Sequence, residues 1–313
     1  GNKLYKLPST TVLIKYLSIV IIPKIFEKIL SRFFSPKIKR WSVAYASHNN
    51  FSKSLWRYKE IINPRGRYLA DPFVFHHKDK NYIFVEDLLC KDNKGRISVI
   101  KINGDKYEFI GGVLEEDFHL SFPFIFRDKD EIYMIPESCK NFDIRLYKCL
   151  EFPNKWKLEQ VLMSNVSAAD TMLIKQQNTW FMLTNICSAG YGDHNSELHI
   201  FHSEDLKSNS WKPILSGNPV IFDPLKARNG GLLFQNETIY RVNQVHEKSN
   251  YGKYFNVNEV VKISKNEYVE KEISNIGANF KDRIISTHHY SANTSLAAVD
   301  FARSQRLKTT WKK

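Results

Sequence analysis

The 313-residue sequence predicts an all-β fold, a five-bladed β-propeller whose N-terminal and C-terminal strands share one blade. Three observations predict this fold. A hairpin made of an apolar strand, a polar turn and an aromatic-led strand occurs four times along the chain. A further strand pair follows each hairpin. One half-repeat is left over near each end, and the two halves complement each other. An amphipathic helical segment precedes the propeller.

The four hairpins begin at Asp71, Phe122, Asp170 and Asn229, about fifty residues apart, which is the size of a propeller blade. The first hairpin is DPFVFHHKDKNYIFVED, and it is followed by the strand pair ISVIKINGDKYEFIGGVL. Each full repeat therefore supplies four antiparallel strands. The aromatic residue that leads each second strand is predicted to pack between blades.

The two ends of the chain are predicted to form the fifth blade together. WSVAYASHNNFSKSLWRYKEI, starting at Trp41, matches a second half-repeat, and STHHYSANTSLAAVDFA, starting at Ser286, matches a first half. Their pairing leaves no free edge in the ring, so residues 41–313 are predicted to be one propeller domain. An irregular β-sandwich is the alternative, but it does not explain why the two halves complement each other.

Residues 1–40 form a basic segment with helical periodicity. From Lys24 onward, polar side chains recur at helical spacing opposite an apolar face. Pro23 is predicted to end or kink any helix before it. Charged residues such as Lys15 interrupt the apolar run, so no membrane span is predicted. Two interpretations stay open: the helix docks on the propeller or on a missing domain, or residues 10–40 make peripheral contact with a membrane.

The composition indicates anionic partners. Lys and Arg number 46 against 33 Asp and Glu, a net charge of +13. Such a field attracts phospholipid headgroups, sugar phosphates and lipid-linked glycans, whereas nucleic acid is not expected because no recognition motif accompanies the charge.

The four cysteines show no metal or CxxC spacing, which predicts reduced thiols and a protein in the cytoplasm. If the N-terminal segment binds a membrane, the protein is expected at the inner face of that membrane. A chain that begins with Gly instead of Met suggests either a residue left by cloning or a domain cut from a longer protein.

A ligand site is predicted at one mouth of the channel, where the first strand of each blade begins. The first column of matched positions is Asp71, Phe122, Asp170 and Asn229, and the second is Glu86, Glu137, Thr184 and Gln244. The fifth blade offers His288 and His289, Arg228 precedes the NGG turn, and His194 lies in SAGYGDHNSE, a predicted lid. Polar groups on apolar strands need a partner, water or a ligand, so structural hydrogen bonding between blades is the alternative. No metal site and no cofactor are predicted.

The segments ADPFVF, YIFVED, HLSFPFIF, YMIPES and ADTMLI resemble the amino-terminal propeller domain of plant glucosamine inositolphosphorylceramide transferase and its bacterial relatives. That domain is similar to the five-bladed arabinanase and levansucrase superfamily of glycoside hydrolases. The resemblance extends from Trp41 to the final blade.

The resemblance implies a base or nucleophile at the start of blade one, where Asp71 stands. It also implies an Asp in blade two that tunes pKa, but Phe122 occupies that position. Glu137 or Glu86 would be the acid partner, and Asp170, Arg228 and His288 would position the sugar. The distance between the carboxyl groups, which decides between retention and inversion, does not follow from the sequence.

The functional hypothesis is a carbohydrate-active enzyme that transfers a glycosyl unit in the biosynthesis of a surface polysaccharide or glycoconjugate. Its expected partners are a saccharide or sugar-phosphate substrate and a lipid-linked glycan acceptor. The alternatives are a glycan-binding module without catalysis in a larger enzyme, which the missing blade-two Asp favours, and a glycoside hydrolase.

Overall fold

The computed structural model describes residues 9–30, 37–47, 54–188, 193–247 and 250–306. Residues Arg40–Arg303 form one compact unit that contains the propeller. The predicted all-β propeller is confirmed. Its predicted C-terminal boundary, residue 313, lies outside the described residues.

The strands fall into five antiparallel sheets. The two N-terminal strands are β1 (Lys37–Ala46) and β2 (Lys59–Glu60), with a 3-10 turn at Leu55–Arg57 between them. Blade one contains β3 (Arg67–His77), β4 (Lys80–Leu89), β5 (Lys94–Asn103) and β6 (Lys106–Leu114). Blade two contains β7 (Ser121–Asp128), β8 (Glu131–Glu137), β9 (Asp143–Glu151) and β10 (Lys155–Ser164), with a second 3-10 turn at Cys139–Asn141.

Blade three contains β11 (Ala168–Gln176), β12 (Thr179–Ile186), β13 (Glu197–Ser203), β14 (Lys212–Pro213) and β15 (Ile221–Phe222). Blade four contains β16 (Asn229–Gln235), β17 (Thr238–Glu247), β18 (Asn250–Ile263) and β19 (Tyr268–Gly277). The C-terminal strands are β20 (Ile284–Ser286), β21 (Tyr290–Ala292) and β22 (Ala297–Arg306). The inner strands β3, β7, β11, β16 and β21 contact one another in a ring.

Blade five joins the two ends of the chain, as predicted. β22 pairs with β20 and β21 on one side and with β1 on the other, and β2 completes the sheet. Side chains from the two ends also meet across this blade. The Tyr58 and Tyr290 hydroxyls lie 3.1 Å apart, and Arg303 donates two hydrogen bonds to Glu60, at 2.7 and 2.9 Å. The ring is therefore closed by backbone pairing and by side-chain contacts.

Large aromatic side chains fill the space between blades. Phe152 of blade two lies against the rings of Phe75, Tyr82 and Phe84 in blade one. Tyr82 is 8% exposed and Trp180, its counterpart in blade three, is 5% exposed. Trp180 also contacts Phe126 of blade two, so the packing role between blades predicted for the aromatic residues that lead the second strands is confirmed for Tyr82 and Trp180.

A β-bulge interrupts the pairing of the first two strands at the same place in blades one to four. The last pairs before the bulge are Ala70 with Glu86, Ser121 with Glu137, Ala169 with Asn185, and Asn229 with Asn243. The bulged residues are therefore Asp71, Phe122, Asp170 and Gly230.

This register corrects the predicted columns by one residue. In the first column, the residue of blade four that matches Asp71 is Gly230 instead of Asn229. In the second column, the residues that match Glu86 are Asn185 in blade three and Asn243 in blade four, instead of Thr184 and Gln244. Blade four has one residue fewer between its bulge and its turn, and in blade three the leading aromatic lies one place nearer the turn than in blade one. Counting from the aromatic residue therefore shifts the alignment, and a shift of one residue exchanges the faces of a strand.

Among the described residues, one helix, α1 (Thr10–Leu30), precedes the propeller in the sequence and lies outside its compact unit. It continues through Pro23, so Pro23 does not end the helix, and the predicted alternative, a kink at Pro23, stays a prediction. A proline removes the hydrogen bond to the carbonyl four residues earlier but leaves the rest of the ladder intact. Residues 1–8 and 31–36 of the predicted front segment lie outside the described residues. No described helix has both the length and the apolar character needed to cross a membrane.

Candidate active site

The starts of the inner strands and the ends of their partners surround a cavity of about 290 Å³. Six of the predicted site residues line it: Asp71, Glu86, Glu137, Asp170, Arg228 and His288. Residues from blades one to five thus meet at one mouth of the channel. A volume at the small end of ligand sites fits a small molecule or one unit of a larger one.

The bulges direct two of the carboxylates into the cavity. Asp71 and Asp170 have left-handed backbones, with φ of 48° and 49°. A residue with a Cβ atom pays about 1–2 kcal/mol for this conformation. The extra residue of a bulge turns the strand and re-aims its side chain, and such bulges are common beside active sites. Phe122, with φ 45°, has the same backbone, but its ring is fully buried against Phe73.

Asp71 is buried among other acids. Its side chain is 10% exposed, and Oδ2 accepts a hydrogen bond from the Phe122 backbone N–H at 3.2 Å. Burial, with the charges of Glu86 and Asp170 next in importance, raises the pKa of Asp71 well above its ordinary value. The carboxyl group therefore keeps its proton at a pH where an exposed aspartate has lost it, which suits a proton donor.

Arg228 holds two further carboxylates together. Its Nε donates to Asp170 Oδ2 at 2.5 Å, and its Nη2 lies 3.6 Å from Glu137 Oε2. Gln244 Nε2 donates to the same Asp170 oxygen at 2.9 Å. Burial raises the pKa of Asp170 to about 7, although the charge of Arg228 opposes the shift. The positive charge is thus shared between two acids.

Glu86 is paired with a histidine that the sequence did not indicate. His119 Nε2 lies 3.3 Å from Glu86 Oε1, and His119 Nδ1 accepts the backbone N–H of Gly95 at 3.0 Å. Burial lowers the pKa of His119, but the hydrogen bond and charge of Glu86 outweigh this and raise it. Because Nδ1 is an acceptor, the ring directs its Nε2–H at Glu86.

His288 and aromatic rings form another wall of the cavity. The His288 ring is stacked on Trp41, with ring centroids 3.9 Å apart, and meets Tyr251 edge-on at 5.4 Å. His288 Nδ1 lies 2.6 Å from Asp300 Oδ2, and Nε2 lies 3.9 Å from Asp71 Oδ1. The orientation of the imidazole is therefore fixed, with Nε2 directed toward Asp71.

Asp71, His288 and Asp300 each offer one metal-ligand atom, and these atoms lie within 4.8 Å of one another. Asp300 is already engaged, however. Its Oδ1 accepts the N–H groups of His288 and His289, both at 3.0 Å, and its Oδ2 accepts the N–H of Asp71 at 3.3 Å. A metal would compete with these hydrogen bonds, so the donor set does not favour one. The predicted lack of a metal stays a prediction.

Three predicted binding residues lie behind the wall of the cavity instead of lining it. Asn229 Nδ2 donates to the Asp170 carbonyl at 2.8 Å, and Gln244 donates to the Asp170 carboxylate. His289 is fully buried against the rings of two phenylalanines, and burial lowers its pKa to about 3. These side chains support the wall from behind, and His289 stays neutral.

His194 lies beside the cavity and does not line it. Its Nε2 is 2.9 Å from the Ser167 hydroxyl. Burial, with Arg228 the next cause, lowers its pKa. Residues 189–192 of the predicted lid lie outside the described residues, so the lid stays a prediction.

The cavity also contains residues that sequence reasoning missed, chiefly Trp41, Tyr68, His119 and Tyr251. Trp41 marked only the start of a half-repeat, and His119 stands in the loop before β7. The one sequence feature that could have identified these residues is an aromatic or imidazole group next to a strand that enters the channel mouth. Many core residues have the same feature, so it does not distinguish site residues from core residues.

Comparison with known proteins gives a family and a fold. The family model for the N-terminal part of glucosamine inositolphosphorylceramide transferase 1 matches residues 59–291. The transferase of that name from Oryza sativa subsp. japonica is 33% identical over 214 residues, covering 66% of this chain and 28% of the relative. The Arabidopsis thaliana protein is 34% identical over 211 residues, covering 66% and 27%. The chain thus spans little more than a quarter of the length of the curated relatives it matches.

Among solved structures, the catalytic domain of the Coprinopsis cinerea GH62 α-L-arabinofuranosidase is similar, with a TM-score of 0.56. The match covers 85% of this chain and 99% of that one, at 11% sequence identity. At this identity the likeness concerns the fold alone.

Proposed function

Because the chain belongs to the family of the N-terminal part of glucosamine inositolphosphorylceramide transferase 1, we propose that its propeller transfers a glycosyl unit during the assembly of a surface polysaccharide or glycoconjugate. The family predicted from the sequence motifs is confirmed. The observation that carries the proposal is the convergence of four carboxyl groups from three blades on one cavity. Carboxyl pairs of differing proton affinity are the usual means of acid–base chemistry at a glycosidic bond.

In the proposed mechanism Asp71 is the acid, the reverse of the role that the resemblance implied for it. Its raised pKa keeps the proton available. Asp71 gives this proton to the leaving oxygen while the bond from that oxygen to the anomeric carbon breaks, and the bonding electrons stay on the oxygen. The acceptor hydroxyl attacks the anomeric carbon and loses its proton to Glu137. The net result is a new glycosidic bond and a proton moved from Asp71 to Glu137.

The charges of the cavity favour its occupation by the sugar and not by a phosphate. Among the described residues that line it, the only Lys or Arg side chain is that of Arg228, which is already paired with Asp170 and Glu137. Carboxylates are good acceptors for sugar hydroxyls but repel an anion. We propose a saccharide donor and a lipid-linked acceptor whose phosphate stays outside the cavity, in line with the inositolphosphorylceramide in the name of the relatives.

We also propose that the chain works in the cytoplasm, at the inner face of the membrane. The thiols of Cys90, Cys139, Cys149 and Cys187 are free, as in a reducing compartment. The net charge of +13 favours a surface of anionic lipid.

The test is substitution of the proposed acid. Asp71→Asn keeps the shape and the acceptor oxygen for Phe122 but removes the transferable proton, so we expect the loss of at least about 100-fold in turnover. The measurement is mass spectrometry of the glycolipids and polysaccharides of cells that produce each variant. Asp79→Asn, the same change in the exposed β3–β4 turn, is the control and should leave product unchanged. Normal product from Asp71→Asn would refute the mechanism.

A second candidate, a glycan-binding module, is favoured by Phe122 at the position of the blade-two carboxylate and by the short span of the relatives that the chain covers. It predicts that a glycan array detects saccharide binding that survives Asp71→Asn. It also predicts that cells producing the wild-type chain form no new glycoconjugate. Product formation by the wild-type chain alone would exclude this candidate.

A further inference from the structure

The helix α1 presents apolar side chains to solvent along its whole length. Eleven large hydrophobic residues are between 39% and 62% exposed: Val12, Leu13, Ile14, Tyr16, Leu17, Ile19, Ile21, Ile22, Ile25, Phe26 and Ile29. Exposed apolar area on this scale is unusual in a soluble protein, and it marks a surface that another apolar medium covers.

These side chains are distributed around the entire helix. At 100° per residue, Val12, Leu13 and Ile14 alone point in three directions, and the remaining eight fill the gaps. A protein groove covers one stripe of a helix, whereas lipid chains can cover a broad apolar surface on several sides. The distribution therefore favours a lipid medium over a protein groove.

The sequence in and around the helix is strongly basic. Residues 1–40 contain nine Lys and Arg against a single acidic residue, Glu27. Within the helix, the Lys15 and Lys24 side chains are exposed beside the apolar residues. Basic residues on an apolar helix attract it to membranes of anionic lipid.

We infer that α1 is a membrane-binding element that inserts its apolar side chains into the surface of an anionic phospholipid bilayer. This function is separate from the proposed glycosyl transfer, because α1 lies outside the family match at residues 59–291. The partner is a lipid surface that combines hydrocarbon with negative charge. Phosphate in solution offers only the charge.

The experiment is flotation of the full chain with vesicles of phosphatidylcholine, with and without phosphatidylglycerol. We expect binding only when phosphatidylglycerol is present. The double variant Ile14→Glu with Ile22→Glu places charges among the apolar residues and should lower the partition coefficient at least about ten-fold. Lys15→Gln and Lys24→Gln should each lower it about five-fold.

Matched controls on the propeller separate α1 from the rest of the surface. Ile62 and Leu215 are 81% and 80% exposed, so Ile62→Glu with Leu215→Glu makes the same chemical change away from α1. Lys157→Gln and Lys212→Gln are the charge controls. All of these should bind as the wild type does.

Three outcomes overturn the inference. Equal binding to vesicles of phosphatidylcholine alone would remove the role of charge. Equal loss of binding in the propeller controls would remove the role of α1. Absence of vesicle binding would overturn the inference by itself. If the chain then self-associates, and Ile14→Glu with Ile22→Glu abolishes that association, a second copy of the chain covers the helix instead of lipid. Because vesicle binding is measured without substrate, it can fail while the proposed transferase activity holds.

Discussion

At the scale of single residues, Asp71 combines two unfavourable features. Its backbone is left-handed, and its carboxyl group is buried beside other acids. Folded proteins keep such a group mainly where its strain or shifted proton affinity serves a function. The free energy of unfolding should therefore record the cost of this side chain.

Asp71→Asn should stabilise the protein at neutral pH. The pKa of Asp71 is raised above the ordinary 3.8 in the folded state. Folding is therefore favoured by proton binding, and the free energy of unfolding falls as pH rises from 3.8 through the folded-state pKa. The variant carries no charge and avoids this loss, so we expect it to be more stable by about 1–3 kcal/mol at neutral pH. Urea unfolding measures the difference, which should disappear in acid.

Asn also tolerates a left-handed backbone, and Asp79→Asn controls for that effect. Asp79 has φ 59° and an exposed side chain, so the control changes the same group without changing a buried charge. We expect no pH-dependent stabilisation from it. If Asp71→Asn is no more stable than the wild type at any pH, the carboxyl group is not held protonated.

Arg228→Gln should have the opposite effect. It leaves Asp170 and Glu137 buried without their shared positive charge, which should cost about 3–5 kcal/mol. The loss should be greatest above the wild-type Asp170 pKa of about 7 and smaller in acid, where the acids take up protons. Urea unfolding at a series of pH values tests both the size and the slope.

Arg303→Gln is the matched control for Arg228. Its ion pair with Glu60 is partly open to solvent, with side chains 28% and 38% exposed, so its removal should cost no more than about 1 kcal/mol at any pH. Equal losses for the two variants would mean that the Arg228 pair is as well solvated as a surface pair.

At the scale of elements, the segment before β16 is held in place by a buried guanidinium and by buried amides. Arg241, fully buried, donates to the carbonyls of Lys226 and Ala227, at 2.7 and 3.2 Å. Asn185 donates to the Ala227 carbonyl at 2.9 Å, and Asn243 to that of Leu225 at 3.0 Å. The backbone on either side of Arg228 is thus fixed from blades three and four, and the guanidinium reaches its acids from a rigid loop.

The sequence predicts elements better than it predicts contacts. Repeat length and aromatic spacing sufficed for the blades and their closure, since both depend on local periodicity. The site columns failed in blades three and four because the offset between bulge, turn and leading aromatic differs among blades, as Gly230 and Asn185 show. His119 was missed because its pairing with Glu86 joins a loop to a strand far from it in sequence.

At the scale of the whole molecule, the position of every site residue depends on ring closure. β1 lies between β2 and β22, so the N-terminal strands cover what would otherwise be an open edge of the C-terminal sheet. Val43, Ala44, Phe301 and Ala302 are fully buried in this blade. An open edge of this kind promotes aggregation, and the blades on either side lose their packing contacts with blade five.

Two truncations should therefore behave differently. Removal of residues 1–36 deletes α1 but keeps β1, and this shortened chain should unfold in a single cooperative transition within a few degrees of the full chain. Removal of residues 1–60 also deletes β1 and β2, which exposes the edge of β22 and the core of blade five. We expect that chain to aggregate or to lose its thermal transition, because without β1 and β2 the sheet of blade five is incomplete and the ring is not closed. Circular dichroism with size-exclusion chromatography distinguishes the two. If the shorter chain remained monomeric and equally stable, the pairing of the two ends would not be what holds the acids of blades one to three around one cavity.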